Sequence, residues 1–118
     1  MGRHSAFRGW VAVCWLIAVG AMGAVGAAAA EDPVVRLTIR NHRFEPAELV
    51  VPAGQKIKLE IDNQDATAEE FESYELNREK VVPGKATVVI FVGPLKPGRY
   101  PFFGDFNKES AKGVLIAK

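Results

Sequence analysis

Few residues of this sequence have side chains suited to chemistry, and most of those are oxygen donors. Asp105 and Asn107 lie in a polar loop, "GDFN", and Glu70 and Glu72 lie in an acidic stretch, "EEFE". On a strand, Glu70 and Glu72 would point to the same face, because successive side chains alternate between the two faces. Crowded carboxylates without a counter-charge repel each other, and a bound cation would relieve that repulsion.

The first 30 residues are predicted to be a cleaved secretory signal peptide. Arg3 and Arg8 give a positive start, an apolar run follows at 10–25, and small residues close the segment before Glu31. A retained membrane anchor is the alternative, but the apolar run is shorter than the ~20 residues that a membrane-spanning helix needs. The sequence therefore predicts an exported, periplasmic protein with one domain at 31–118.

Removal of that segment narrows the available chemistry. Every cysteine, methionine and tryptophan precedes residue 31, so the exported chain keeps one histidine, His42, and no thiol. It keeps 13 basic and 14 acidic residues, and a net charge of −1 argues against nucleic acid or an anionic membrane as a partner. No cysteine nucleophile remains, and neither Ser73 nor Ser110 lies in a nucleophile elbow. We therefore do not expect a stand-alone enzyme.

The spacing of apolar residues predicts an all-β domain. The stretches at 34–40 and 56–62 alternate strictly between apolar and polar residues, as half-buried strands do. A break is predicted at "NHRFEP", and Pro-Gly turns punctuate the rest of the chain. Further strands are predicted at "AELVV", 87–92, 99–103 and "GVLIAK". Short strands at this spacing indicate a sandwich or a barrel.

The segment at 67–80, "TAEEFESYELNREK", is open between helix and strand. Thr67 and Glu70 fit a capping box, and most residues after them are good helix formers. Yet Glu70, Phe71 and Glu72 fit the alternation of a strand equally well. The residues alone do not decide between the two.

Several stretches together resemble a small cupredoxin. They are "RFEPAELVVPAGQKIKLEIDNQD", "VVPGKATVVIFVGPLKPGRYPFF" and the closing "GVLIAK". The resemblance covers 34–118 and implies a cupredoxin-like Greek-key β-sandwich in which the open segment begins with a strand. The stretches "EFESYELNREKVV" and "YPFFGDFNKESAKG" are also similar to the EfeO-type cupredoxin-like domains found beside bacterial ferrous-iron uptake permeases.

The resemblance also implies that a type 1 copper centre is absent. Such a centre needs two histidines and a cysteine thiolate, with a weak axial methionine. The matching positions hold Glu69 and Asn107 for the histidines, Gly104 for the cysteine and Ala111 for the methionine. The soft thiolate that makes a blue-copper site is therefore missing from the exported chain.

In a cupredoxin the two ligand loops meet at one pole of the sandwich, and the "NHRFEP" turn reaches its rim. The resemblance therefore implies that the oxygen donors and the single imidazole converge. The expected metal ligands are His42, Glu69, Glu70, Glu72, Asp105 and Asn107. Such a set suits Fe(II), Fe(III) or Mn(II) better than Cu(I), so the expected cofactor is iron or another divalent metal ion, with copper only outside a type 1 site.

Each candidate also has a purely structural interpretation. Glu69 could belong to a solvated strand face, and His42 could do no more than form local hydrogen bonds in a polar turn. Asp105 and Asn107 are typical turn formers, because their side chains bond the nearby backbone.

Two functions from different classes follow. The first is a periplasmic metal-binding accessory of ferrous-iron uptake, whose partners are other periplasmic or permease components and which meets the membrane only through them. Oxidation of iron would need such a partner. The second is a metal-free protein–protein interaction module of an envelope complex, docking through Phe106 or an exposed strand edge.

Overall fold

The computed structural model describes residues 31–118, together with Gly2, Gly20 and Gly23. All regular structure in this part of the chain is β-strand, which confirms the predicted all-β class. The nine strands are β1 (Val34–Arg40), β2 (Arg43–Glu45), β3 (Glu48–Val51), β4 (Ile57–Asn63), β5 (Glu69–Ser73), β6 (Arg78–Val82), β7 (Thr87–Val92), β8 (Gly98–Gly104) and β9 (Lys112–Ala117).

The strands form two sheets packed face to face. One sheet has four strands in the order β2-β1-β4-β7, and the other has five in the order β3-β9-β8-β5-β6. The pairs β1–β4 and β3–β9 are parallel, and the other ladders are antiparallel. Strands that are neighbours in sequence often lie apart in the sheets, so the chain crosses repeatedly from one layer to the other.

The core lies between the sheets and is made by the apolar members of each alternating strand. Leu37 and Ile61, which are register partners on β1 and β4, are both fully buried. From elsewhere in the fold the rings of Phe44, Phe71 and Phe102 meet with centroids 5.1–6.1 Å apart. Burial of each such side chain stabilises the fold by about 1.5–3 kcal/mol. The contact between Phe71 and Phe102 packs β5 against β8.

The segment left open by the sequence is a hairpin of two strands, β5 and β6, and the capping box does not form. Glu69, Phe71 and Ser73 point inward along β5, and the intervening side chains point outward. A turn over 74–77 follows, with Asn77 at a φ of 51°. The sequence did not predict strand β6 as a separate strand. Only its last residue, Val82, is buried, so it lacks the alternation of a half-buried strand.

The segment "NHRFEP" is not the plain break that the sequence predicts, because it contains the short strand β2. Asn41 and His42 both adopt positive φ, and the chain then turns back antiparallel to β1. The Asp65 carboxylate accepts hydrogen bonds from the backbone N–H groups of Asn41 (2.8 Å) and His42 (2.9 Å) and so holds the turn. The His42 N–H is the largest cause of a lowered pKa at Asp65, and desolvation opposes it.

A buried asparagine fixes the connection from β4 to β5. The Asn63 side-chain amide donates to the carbonyl oxygens of Thr67 (2.9 Å) and Val82 (3.1 Å), and its Oδ1 accepts from the Asp65 N–H (3.0 Å). This connection sets where β5 begins, and with it which glutamates face inward.

Apart from Gly2, Gly20 and Gly23, the predicted signal peptide at 1–30 lies outside the described residues. Among the residues that the structure does describe, no helix is long and apolar enough to cross a membrane.

Candidate functional site

The six ligands expected from the sequence do not form one group. They divide into a hydrogen-bonded pair, an outward-facing acidic group and a separate histidine. The pair is the buried Glu69 with the half-buried Asn107. The outward group contains Glu70 and Glu72 with Asp105 beside them, and His42 lies in the β1–β2 turn.

Glu69 points into the protein and is 1% exposed. Its Oε1 accepts hydrogen bonds from the backbone N–H groups of Phe106 (2.9 Å) and Glu70 (3.0 Å). Its Oε2 accepts from the side-chain amide of Asn107 at 2.6 Å. Both carboxylate oxygens are therefore engaged, and the buried group is satisfied by protein donors.

Gly104 lies directly against the Glu69 side chain. A Cβ at position 104 would be 2.5 Å from Glu69 Cδ and 2.6 Å from the Cβ of Ala111. The Gly104 N–H also donates to the Ala111 carbonyl oxygen at 2.8 Å, and the Ala111 N–H donates to that of Asn107 at 2.8 Å. The loop over 105–111 is thus closed on itself, and the Glu69 carboxylate fills the space beneath it.

The outward-facing group gains a member that the sequence argument missed. Glu70, Glu72 and Glu79 each offer a carboxylate oxygen, and these oxygens lie within 4.8 Å of one another. Glu79 comes from β6, where it is the register partner of Glu72. We call these three residues the outer carboxylate cluster. The sequence would predict Glu79 as a member if 67–80 were taken as a hairpin with a four-residue turn, because that register pairs Glu79 with Glu72.

The crowding changes how these carboxyl groups titrate. A hydrogen bond shared with Glu79 is the largest cause that raises the pKa of Glu70 to about 7, followed by desolvation and by the charges of Glu79, Asp105 and Glu72. The pKa of Glu72 is raised mainly by desolvation and then by the charges of Glu79 and Asp105. Near neutral pH a bound proton therefore neutralises part of the negative charge of the outer carboxylate cluster.

Asp105 lies beside the cluster but is already paired. Its backbone N–H donates to the Glu70 carbonyl oxygen at 2.9 Å, and its Oδ1 lies 3.1 Å from Lys108 Nζ. The hydrogen bond to Asp105 is the main cause of a raised pKa at Lys108. Asp105 thus adds negative potential at the cluster, while Lys108 partly offsets it.

His42 lies beside the 105–111 loop, as the expected position of its turn implies, but it is not part of the outer carboxylate cluster. The Ser110 hydroxyl donates to the His42 carbonyl oxygen at 2.6 Å. The imidazole is 49% exposed, and its Nδ1 lies 3.8 Å from Asp65 Oδ2. The contacts of His42 in this structure are those of a turn residue.

Exposed aromatic side chains flank the same region. Tyr74, at the tip of the β5–β6 hairpin, is 73% exposed and contacts the Phe103 ring with centroids 5.6 Å apart. Phe106, at the tip of the loop over the Glu69 carboxylate, is 52% exposed. Its ring therefore does not serve as a buried cap on the core.

The sequence profile of the cupredoxin-like domain matches residues 10–117. This chain belongs to the cupredoxin-like domain family. A relative at 48% identity over 82 residues is an uncharacterized protein of Rickettsia prowazekii (strain Madrid E). The match covers 70% of this chain and 66% of that protein, so the chain spans just under two thirds of its relative's length.

Solved structures share the fold at low sequence identity. Auracyanin A, a "blue" copper protein of Chloroflexus aurantiacus, superposes with a TM-score of 0.64 at 13% identity, over 75% of this chain and 100% of that one. The periplasmic domain of cytochrome oxidase subunit II from Bradyrhizobium japonicum gives 0.64 at 10% identity, over 75% and 86%. At these identities the likeness shows the fold alone.

Proposed function

We propose that this cupredoxin-like protein is a periplasmic metal-binding accessory of ferrous-iron uptake that holds a hard divalent cation on the outer carboxylate cluster. One observation carries the proposal: Glu70, Glu72 and Glu79 place three carboxylate oxygens within 4.8 Å of one another. The hydrogen bond with Glu79, followed by desolvation and by the repulsion of neighbouring carboxylates, raises the pKa of Glu70 to about 7, and a bound cation would replace the shared proton and relieve the repulsion.

The residues at the matched copper positions do not suit type 1 copper. They are Glu69, Gly104, Asn107 and Ala111, and residues 31–118 include neither a cysteine nor a methionine. The Glu69 carboxylate is also committed to three hydrogen bonds. We therefore derive no copper chemistry at this pole and place the proposed cation on the outer face of the sheet.

The donor type favours a hard ion. Three carboxylates without nitrogen or sulfur suit Fe(II), Mn(II) or Mg(II) better than Cu(I) or Zn(II). The cluster lies on the surface, so water would complete the coordination and the ion would exchange readily. Those properties suit transfer of a metal to another protein better than permanent storage.

The place in iron uptake rests on the resemblance to the EfeO-type domains and on the predicted export signal. The partners are then other periplasmic or permease components, and iron is cargo that passes between them. Oxidation of the iron would require a partner, because the side chains of residues 31–118 supply no redox group of their own.

Calorimetric titration of the purified protein with Fe(II) under anaerobic conditions, and with Mn(II) and Cu(II), tests the metal role. We expect Fe(II) and Mn(II) to bind more tightly than about 1 mM, which corresponds to roughly −4 kcal/mol. The double substitution Glu72→Gln/Glu79→Gln should weaken binding by at least about tenfold, since it removes two of three ligands. Glu75→Gln is the matched control, because Glu75 is an exposed glutamate of the same hairpin outside the cluster. No binding tighter than millimolar would end the proposal.

A metal-free interaction module is the second candidate, and the exposed rings of Tyr74 and Phe106 favour it. A docking surface of this kind would use the loop tip and not the carboxylates. A partner that co-purifies in the presence of chelator and with Glu70→Ala, but is lost with Phe106→Ala, would support this candidate. Loss of the partner on chelation alone would count against it.

A further inference from the structure

We infer that the Glu69 side chain has taken the place of the metal at the cupredoxin pole, so that this end of the sandwich is held shut by hydrogen bonds and admits no metal ion. The inference concerns the buried pole and does not depend on the cation proposed for the outer face.

The four positions matched to copper ligands are in contact with one another instead of being arranged around a space. Asn107 Nδ2 lies 2.6 Å from Glu69 Oε2. A Cβ at Gly104 would lie within 2.6 Å of both Glu69 Cδ and Ala111 Cβ. No side chain can therefore be seated at position 104 while Glu69 keeps its place, and a thiolate ligand there is excluded by volume as well as by residue type.

Both oxygens of the Glu69 carboxylate accept hydrogen bonds from the protein. Three donors from three residues converge on its two oxygens at 2.6–3.0 Å. In the part of the chain that the structure describes, no buried side-chain nitrogen or oxygen lacks a partner. A metal ion bound by the Glu69 carboxylate would compete with the Phe106 N–H and the Asn107 amide, and a displaced donor would lose its hydrogen bond to a charged acceptor.

The same hydrogen bonds join two segments of the chain at this pole. Glu69 begins β5, whereas Phe106 and Asn107 belong to the loop between β8 and β9, 37 and 38 residues further on. The carboxylate thus joins the two ligand loops across the pole. The hydrogen bonds therefore hold the backbone of the loop at Phe106, whose ring is exposed.

Hydrogen exchange of the Glu69→Gln variant tests the inference. Glutamine has nearly the same volume and can still accept from the Phe106 N–H, so the fold should survive, but its side chain carries no charge. We expect the Phe106 amide to exchange roughly tenfold faster than in the unaltered protein, since a hydrogen bond to a charged acceptor becomes a weaker one to a neutral acceptor. Glu70→Gln, the outward neighbour on the same strand, should leave that amide unchanged. Equal exchange in all three proteins would overturn the inference.

NMR of the unaltered protein during addition of Zn(II) is a second test of the closed pole. The ion is diamagnetic, so NMR shifts report local contact. We expect the side-chain amide resonances of Asn107 to stay in place at excess Zn(II). Their displacement at stoichiometric metal would show that the pole opens to an ion and would refute the closure. If Asn107 stays in place and Fe(II) and Mn(II) fail to bind in the calorimetric titration, the outer carboxylate cluster fails as a metal site while the closed pole stands.

Discussion

Glu69 and Glu70 are adjacent in the sequence and have opposite fates in the fold. Glu69 points inward, is 1% exposed and accepts three hydrogen bonds. Glu70 points outward, faces Glu79 and Glu72, and has a pKa raised to about 7 by its hydrogen bond with Glu79 and by neighbouring negative charge. A carboxylate surrounded by donors is a structural element, and a carboxylate surrounded by other carboxylates is a candidate cation ligand. The two-residue period of one strand separates these roles.

The largest expected effect is a difference in the free energy of unfolding between variants of the inward-facing Glu69 and the outward-facing Glu70. Glu69→Ala removes the acceptor for the Phe106 N–H and the Asn107 amide and leaves a cavity, so we expect a loss of about 3 kcal/mol in the free energy of unfolding. Glu70→Ala should leave stability unchanged or raise it, since it relieves repulsion. Urea denaturation of the two variants measures both. Equal losses would contradict the assignment of Glu69 to the buried hydrogen-bond network.

The next effect concerns the space beneath the loop. Gly104→Ala places a methyl group 2.5 Å from Glu69 Cδ and should cost about 2 kcal/mol through overpacking. Gly98→Ala is the control on the same strand, because its nearest neighbour would be 3.8 Å away. Thermal unfolding followed by circular dichroism compares the two. A neutral Gly104→Ala variant would mean that the pole is roomier than the structure shows.

A smaller effect should appear in the pH dependence of the metal-free protein. The pKa of Glu70 is raised in the folded state to about 7 from an ordinary value of 4.5, so the folded state binds more protons than the unfolded state between those values. The free energy of unfolding should therefore fall as pH rises through that window. Glu79→Gln removes the main cause and should flatten the decline, whereas Glu75→Gln should not. A Glu79→Gln protein with the unaltered profile would show that Glu70 is not coupled to Glu79.

The β class was predictable from the sequence because residues alternate along β1 and β4, and Leu37, Ile39, Ile57, Leu59 and Ile61 are buried. Alternation was insufficient for β5, where the inward residues are Glu69, Phe71 and Ser73. A glutamate and a serine on the core side do not look like a buried face, and local helix signals at Thr67 compete with them. The resemblance to a cupredoxin favoured a strand at the start of the segment, and the structure confirms it, with β5 paired to both β6 and β8.

The candidate site was predictable only in part for the same reason. Alternation alone places Glu70 and Glu72 on one face. Glu79 joins them through the hairpin register, which depends on the length of a turn that the sequence left open. The engagement of Glu69 with Phe106 and Asn107 joins residues 37 and 38 positions apart, and no local pattern encodes such a contact.

The central claim is that a cation binds to the outward-facing glutamates and not to the inward-facing one. NMR of the glutamate side-chain carboxyl carbons during titration with Mg(II), a diamagnetic ion that carboxylate ligands suit, tests it residue by residue. The account predicts that the signals of Glu70, Glu72 and Glu79 shift together at low metal and that the signal of Glu69 does not move. A shift of Glu69 ahead of the other three would contradict it.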